Sequence, residues 1–252
     1  MRPKGPAPAE AAAAWQTGSV LLRYPEPELP GLVPELRDVV AGLPRAIAEP
    51  YGRFLDHVAA TPSHELAVAY VETFDHRKRG CLYLSYYAYG DTRKRGMALL
   101  RFQRAYRAAG LVLTGEEIAD HLPVVLEFAA YDAAGRALLL EHRAGLELLR
   151  RSLRESGSPW ADVLDGVNAT LPALTGRAAD AVMRLAAEGP PDEEVGLPGY
   201  GPESGRPGEA WPSKARTPGP GERGPESGRP APGPGEHGPV ALPEPVVRGV
   251  RR

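Results

Sequence analysis

Cysteine is almost absent from this chain: Cys81 stands alone among 252 residues. One thiol excludes an internal disulfide framework and any site built wholly from thiolates, and it suits a reducing compartment. No stretch reaches the roughly 18 uncharged apolar residues that a membrane-spanning helix needs, so direct membrane insertion is not expected. The first fifteen residues carry Arg2 and Lys4 and then an alanine run, but Glu10 interrupts the run. The alanines that follow are too few and too weakly apolar for the core of a secretory signal. These readings predict a soluble, cytoplasmic protein. An excess of either charge is also missing, with 30 Lys+Arg against 32 Asp+Glu. That excludes a surface built throughout for nucleic acid or anionic lipid.

The signatures of catalysis are missing too. There is no Gly-x-Gly-x-x-Gly fingerprint, phosphate loop, His-Glu-x-x-His helix or Gly-x-Ser-x-Gly elbow. His57, His64, His76, His121, His142 and His237 form no i, i+4 pair. No enzyme activity, bound metal or cofactor is expected. A lone histidine at a helix end is more often a capping residue than a ligand.

What the chain has in abundance divides it in two. From Gly189 to Arg252 about 45% of residues are Gly or Pro, far above globular usage. Gly-Pro-Glu-Ser-Gly-Arg-Pro occurs at Gly201–Pro207 and again at Gly224–Pro230. Glycine is costly to order, proline removes donors, and few apolar side chains offset either effect. Residues 189–252 therefore read as a disordered Pro/Gly-rich tail; its apolar stretch Val240–Val247 is a candidate docking segment, but a spacer with no partner accounts better for such composition. Residues 1–14 read as a flexible N-terminus.

Residues 15–188 are rich in Leu, Ala, Arg and Glu and show helical periodicity throughout. Leu32, Val33, Leu36, Val39 and Val40 share one face; Ile47, Tyr51, Phe54, Leu55 and Val58 share another. Ser63 is a candidate cap for a helix through Phe74. Further helices are predicted at 80–88, 92–109, 116–131, 136–155, 159–174 and 177–188, with Gly90, Gly110, Gly135, Gly157 and Gly176 at or near their ends. The expected fold is all-α: a compact single-domain bundle of roughly nine or ten helices.

Two clusters stand out. Tyr70, Phe74, Tyr83, Tyr86, Tyr87 and Tyr89 offer rigid contact area with hydroxyl handles, as peptide recognition requires, although any one ring is as well explained as core. The second cluster is basic: His76–Arg79, Arg93–Arg95, Arg101, Arg104 and Arg107. As a nucleic-acid footprint it lacks a basic domain around it; a solvated face paired with Glu116, Glu117 and Asp120 accounts for it.

These residues also carry a resemblance. Tyr70-Val-Glu-Thr-Phe-Asp75, Cys81-Leu-Tyr-Leu-Ser-Tyr-Tyr87 and Gly90-Asp-Thr-Arg-Lys-Arg-Gly96 resemble the central signature of the nitrate reductase delta subunit family. That family of molybdenum cofactor assembly chaperones lies within the twin-arginine leader-binding group. Leu21-Leu-Arg-Tyr-Pro-Glu26 and Asp120-His-Leu-Pro-Val-Val-Leu-Glu-Phe128 are similar to two further family motifs, in the expected order. The resemblance implies an all-helical chaperone, monomer or weak dimer, absent from the finished enzyme. It would bind the N-terminal segment of the catalytic (alpha) subunit of respiratory nitrate reductase until the cofactor is inserted. Alternatives are a chaperone for another molybdoenzyme and a helical nucleic-acid-binding regulator. A helix-in-groove mode makes Tyr70, Phe74, Leu84 and Tyr87 candidate groove residues. Asp75, Asp120, His121 and Glu127 are candidate polar contacts; Asp120 and Glu127 would face a basic leader, and His121 would lend pH sensitivity.

Because the tail's composition offers little to bury, its removal is expected to leave the helical domain intact. Thermal melts of the full chain and of a chain ending at Glu188 should coincide within a few degrees; a large drop in the midpoint would mean that the tail packs on the domain.

Overall fold

Helices account for nearly all the regular structure, because apolar residues recur at three- and four-residue spacing and the breaks fall at turn chemistry. The computed structural model describes residues 5–75, 80–113, 118–189, 191 and 250–251. Among these, eleven helices run in order. The first half holds α1 (Pro8–Leu22), α2 (Leu29–Ala41), α3 (Arg45–Ala60), α4 (Ser63–Phe74), α5 (Leu84–Tyr89) and α6 (Arg93–Ala108). The second holds α7 (Leu122–Tyr131), α8 (Ala133–Glu141), α9 (Arg143–Glu155), α10 (Trp160–Ala169) and α11 (Arg177–Glu188). The only strands described are β1 (Val112–Leu113) and β2 (Val250–Arg251), paired antiparallel. The fold is all-α, as expected. The rest of the expected tail lies outside the described residues, apart from Gly189 and Pro191 at its start.

α1 starts at Pro8, earlier than the expected domain start at residue 15. Proline at the first helical position gives up no needed donor, and Glu10 reaches back to accept from the Ala7 amide at 2.7 Å. Ala11, Ala14 and Trp15 then pack into the core. The predicted helix 136–155 is two helices, broken at His142. The predicted helix 116–131 begins only at Leu122, where Pro123 suits the first turn; residues 114–117 lie outside the described residues. Gly135 falls near the start of α8, at a helix end as expected. It lies inside α8, where a Cβ would run into the backbone of Phe128 and Ala129, so its missing side chain lets α8 fold tightly back on α7. Asp132 caps α8 through the Ala134 amide at 2.7 Å.

The core is organised around two aromatic side chains. Trp160 of α10 stands at the centre of a ring cluster, 5.6 Å from Phe54, 5.7 Å from Tyr70 and 5.5 Å from Phe74. Its indole N–H donates to the Leu21 carbonyl at 3.2 Å, joining α10 to α1. Tyr51 of α3 is fully buried between Gly18 of α1 and Gly166 of α10, and its hydroxyl donates to the Ala14 carbonyl at 2.7 Å. Gly90, at the end of α5, has φ 56° and no room for a Cβ, because the backbone of Pro191 crosses there.

His142, at the α8–α9 break, is buried, with its ring 5.1 Å from that of Phe102. Burial pushes its pKa down, against the opposing pull of Glu141, Asp120 and a Leu84 backbone hydrogen bond. Arg101 adds to the lowering.

This packing sets the effect of three substitutions. Gly166→Ala forces a methyl into the Tyr51 ring and should lower stability by about 2–3 kcal/mol in a urea titration. Gly52→Ala, on α3 with nothing within 4 Å of the new Cβ, should raise it by about 0.5–1 kcal/mol. A histidine held neutral contributes stability that is complete above its unfolded pKa near 6.5 and is lost as pH falls below it. The melting midpoint should therefore drop between pH 7 and pH 5, and His142→Asn should flatten that drop. Parallel slopes would assign it to other groups.

Candidate functional site

The signature segments are far apart in sequence and meet in space. The stretch before α5 is extended rather than helical. Leu84 N–H donates to the Asp120 carbonyl at 3.0 Å, and Leu122 N–H donates to the Leu82 carbonyl at 2.9 Å. Tyr83 and His121 form the bridge between them. Asp120 then caps α5: its Oδ2 accepts from the Ser85 amide at 3.0 Å and from the Ser85 hydroxyl. Arg95, from the Gly90–Gly96 segment, brings the counter-charge. Its guanidinium approaches Asp120 Oδ2 to 3.9 Å, donates to Ser85 Oγ at 3.2 Å and to Asp91 at 2.9 Å, and lies 5.5 Å from the centre of the Tyr83 ring.

The other segments join on the far side of α7. The Tyr70 hydroxyl donates to the Leu22 carbonyl at 3.0 Å, and the Tyr24 ring stands edge-on to Tyr70 at 5.6 Å. Arg23, just past α1, pairs with Glu127 of α7 at 2.8 Å. The Leu21–Glu26 motif is thus bound to both the Tyr70–Asp75 and the Asp120–Phe128 motifs.

The predicted residues fall into two groups. Tyr70, Phe74, Leu84, Tyr87 and Asp120 are buried, Asp120 with 0% of its surface exposed. Tyr87 packs against Gly145 of α9, and its hydroxyl donates to the Cys81 carbonyl at 2.9 Å. Burial pushes both the Tyr87 hydroxyl and the Cys81 thiol up, so both stay protonated at neutral pH. Asp75 is exposed at the end of α4; His121 and Glu127 are partly buried. The His121 ring lies 5.3 Å from that of Tyr83. Glu127 already holds Arg23, so a basic ligand would compete for it.

Sequence reasoning passed over Ser85, Arg95 and Arg23 as site-forming residues. Arg95 sat inside a basic run read as a solvated face. Asp120, inside the predicted helix 116–131, gave no sign that it caps a different helix. On α6 the remaining basic residues, Arg93, Lys94, Arg101, Arg104 and Arg107, are exposed, and Arg101 pairs with Glu141 at 2.7 Å. Glu116 and Glu117, their expected partners, lie outside the described residues. Among the described residues no cluster of His, Cys, Asp or Glu could hold a metal, and no helix is long and apolar enough to cross a membrane.

Comparison with known proteins places this arrangement. The nitrate reductase-like protein NarX of Mycobacterium tuberculosis is 39% identical over 155 residues, which is 61% of this chain but only 23% of that protein. The probable nitrate reductase molybdenum cofactor assembly chaperone NarJ of Bacillus subtilis is 31% identical over 61% of this chain and 85% of its own length. The chaperone NarJ of Escherichia coli K12 is 30% identical over 58% of this chain and 64% of its own length. The family model described as nitrate reductase delta subunit matches residues 40–165, from the end of α2 into α10. The chain belongs to the nitrate reductase delta subunit family.

Proposed function

We propose that this chain is a cytoplasmic, non-enzymatic assembly chaperone for a respiratory nitrate reductase. It binds the N-terminal segment of the catalytic alpha subunit, keeps it open for molybdenum cofactor insertion, and is not part of the final enzyme. The observation that carries this reading is the match to proteins named as assembly chaperones, one of them along 85% of its length. The meeting of the 81–87, 90–96 and 120–128 motifs at α5–α7, with Arg23 of the 21–26 motif paired to Glu127, supports that region as the place where binding occurs.

The chemistry of that region suits an amphipathic segment. Asp75 is exposed and His121 partly so, offering polar contacts, while Glu127, its side chain 11% exposed, is reached only by displacing Arg23. Tyr70, Phe74, Leu84 and Tyr87 give the face its shape from beneath, and Asp120 locks α5 to α7. The buried residues act by positioning, and the accessible ones by contact. An exposed polar contact contributes about 1 kcal/mol at most, so several must act together and release stays easy.

Calorimetric titration with a peptide copying the alpha subunit's N-terminus tests this, with thermal melts alongside. His121→Ala and Asp75→Ala should keep the wild-type midpoint and each weaken binding by about 1 kcal/mol. Asp120→Ala should melt early, because a buried cap and the partner of a partly buried arginine are lost together, at about 3 kcal/mol. If the wild-type chain shows no binding to that peptide, the reading fails. If both accessible-residue variants keep full affinity, the contact surface lies elsewhere on the domain.

A further inference from the structure

β1 follows α6 after a short turn, and Val112 is 61% exposed. A two-residue edge of this kind offers its backbone groups to any extended segment that can reach it. In this structure the occupant comes from the same chain. β2 pairs with it antiparallel, Val112 opposite Arg251 and Leu113 opposite Val250, and also touches α7. α7 is the helix that opens just after His121 and carries Glu127.

The sequence around β2 is unlike what precedes it. After a long run rich in Gly and Pro come Val246, Val247, Arg248, Gly249, Val250, Arg251 and Arg252. β-branched residues give this stretch strand propensity, and three arginines give it strong positive charge. In sequence, Glu116 and Glu117 stand just beyond β1, an acidic counterpart. Arginine with apolar residues is also the chemistry expected of a client's basic leader.

We propose that the Val250–Arg251 strand is an internal occupant of the client-binding face, docked on β1 beside α7 and displaced when the client segment binds. The competition rests on the reading of α7 as part of the client site; the docking stands on the β1–β2 pairing. Roughly sixty residues separate Gly189 from Val250, and a tether of that order gives an effective concentration around the millimolar range. A contact too weak to hold a free peptide therefore holds a tethered one. Because the ladder is short, a client of ordinary affinity displaces it, and the occupied state discriminates against weak, non-client segments.

The test compares the full chain with a chain truncated after Glu244 and with the full-length Val250→Pro variant, since proline removes a ladder donor. Amide hydrogen exchange at Val112 and Leu113 should become about fivefold faster in both, and the alpha-subunit peptide should bind both about fivefold more tightly. Unchanged exchange in both variants overturns the docking. Faster exchange with unchanged peptide affinity overturns the competition. If the alpha-subunit peptide binds none of the three proteins, the functional reading has failed instead. Exchange at Val112 and Leu113 then still decides whether the strand docks.

Discussion

A carboxylate with no exposed surface governs how the parts of this domain meet. Asp120 satisfies the start of α5 through Ser85, its own carbonyl takes the Leu84 amide, and Arg95 offsets its charge. Breaking one partner of such a group leaves a buried charge or an unpaired donor, which costs more than the bond itself contributed. Three chain segments are held in register by this one residue: the run into α5, the start of α6 and the start of α7. The placement of Tyr83 against His121 follows from it.

The elements that were legible in the sequence were those with an uninterrupted apolar face. α3 and α4 lie close to where Ile47–Val58 and Leu66–Phe74 placed them, and α11 coincides with the predicted 177–188. The breaks were harder, because they depend on tertiary neighbours. Gly135 marks the α7–α8 break, but nothing local shows that Phe128 and Ala129 lie against it. His142 gives no local sign that the chain turns there. The extended run before α5 looks helical by periodicity, yet Leu82 and Leu84 are bonded to residues 120 and 122, on the far side of α6 in the sequence. Local preference lost to hydrogen bonds that sequence separation hides.

Recognition of the site had the same limit. The motif residues were found, and the structure draws their segments together, but the sequence could not tell contact from support. Tyr70, Phe74, Tyr87 and Asp120 are aromatic or charged residues in a recognisable pattern, which reads equally well as a binding face or as a specialised core. Their burial assigns them to the frame. Arg95 lay in a basic run read as a solvated face, and Arg23 lay in a motif about a hundred residues from its partner Glu127. The family pattern thus reports the architecture directly and the binding surface only through it.

Gly90 carries a consequence for anything attached beyond α11. The backbone at Pro191 crosses the α5–α6 turn so closely that a single methyl on Gly90 would collide with it. The chain is thereby pinned, at the point where it leaves the last helix, beside the segment that supplies Arg95. A reporter or extra module grafted after residue 191 would hang from that spot and report on its neighbourhood. A bulkier residue at position 90 would disturb both that crossing and the end of α5, whose last turn Gly90 caps through the Tyr86 carbonyl.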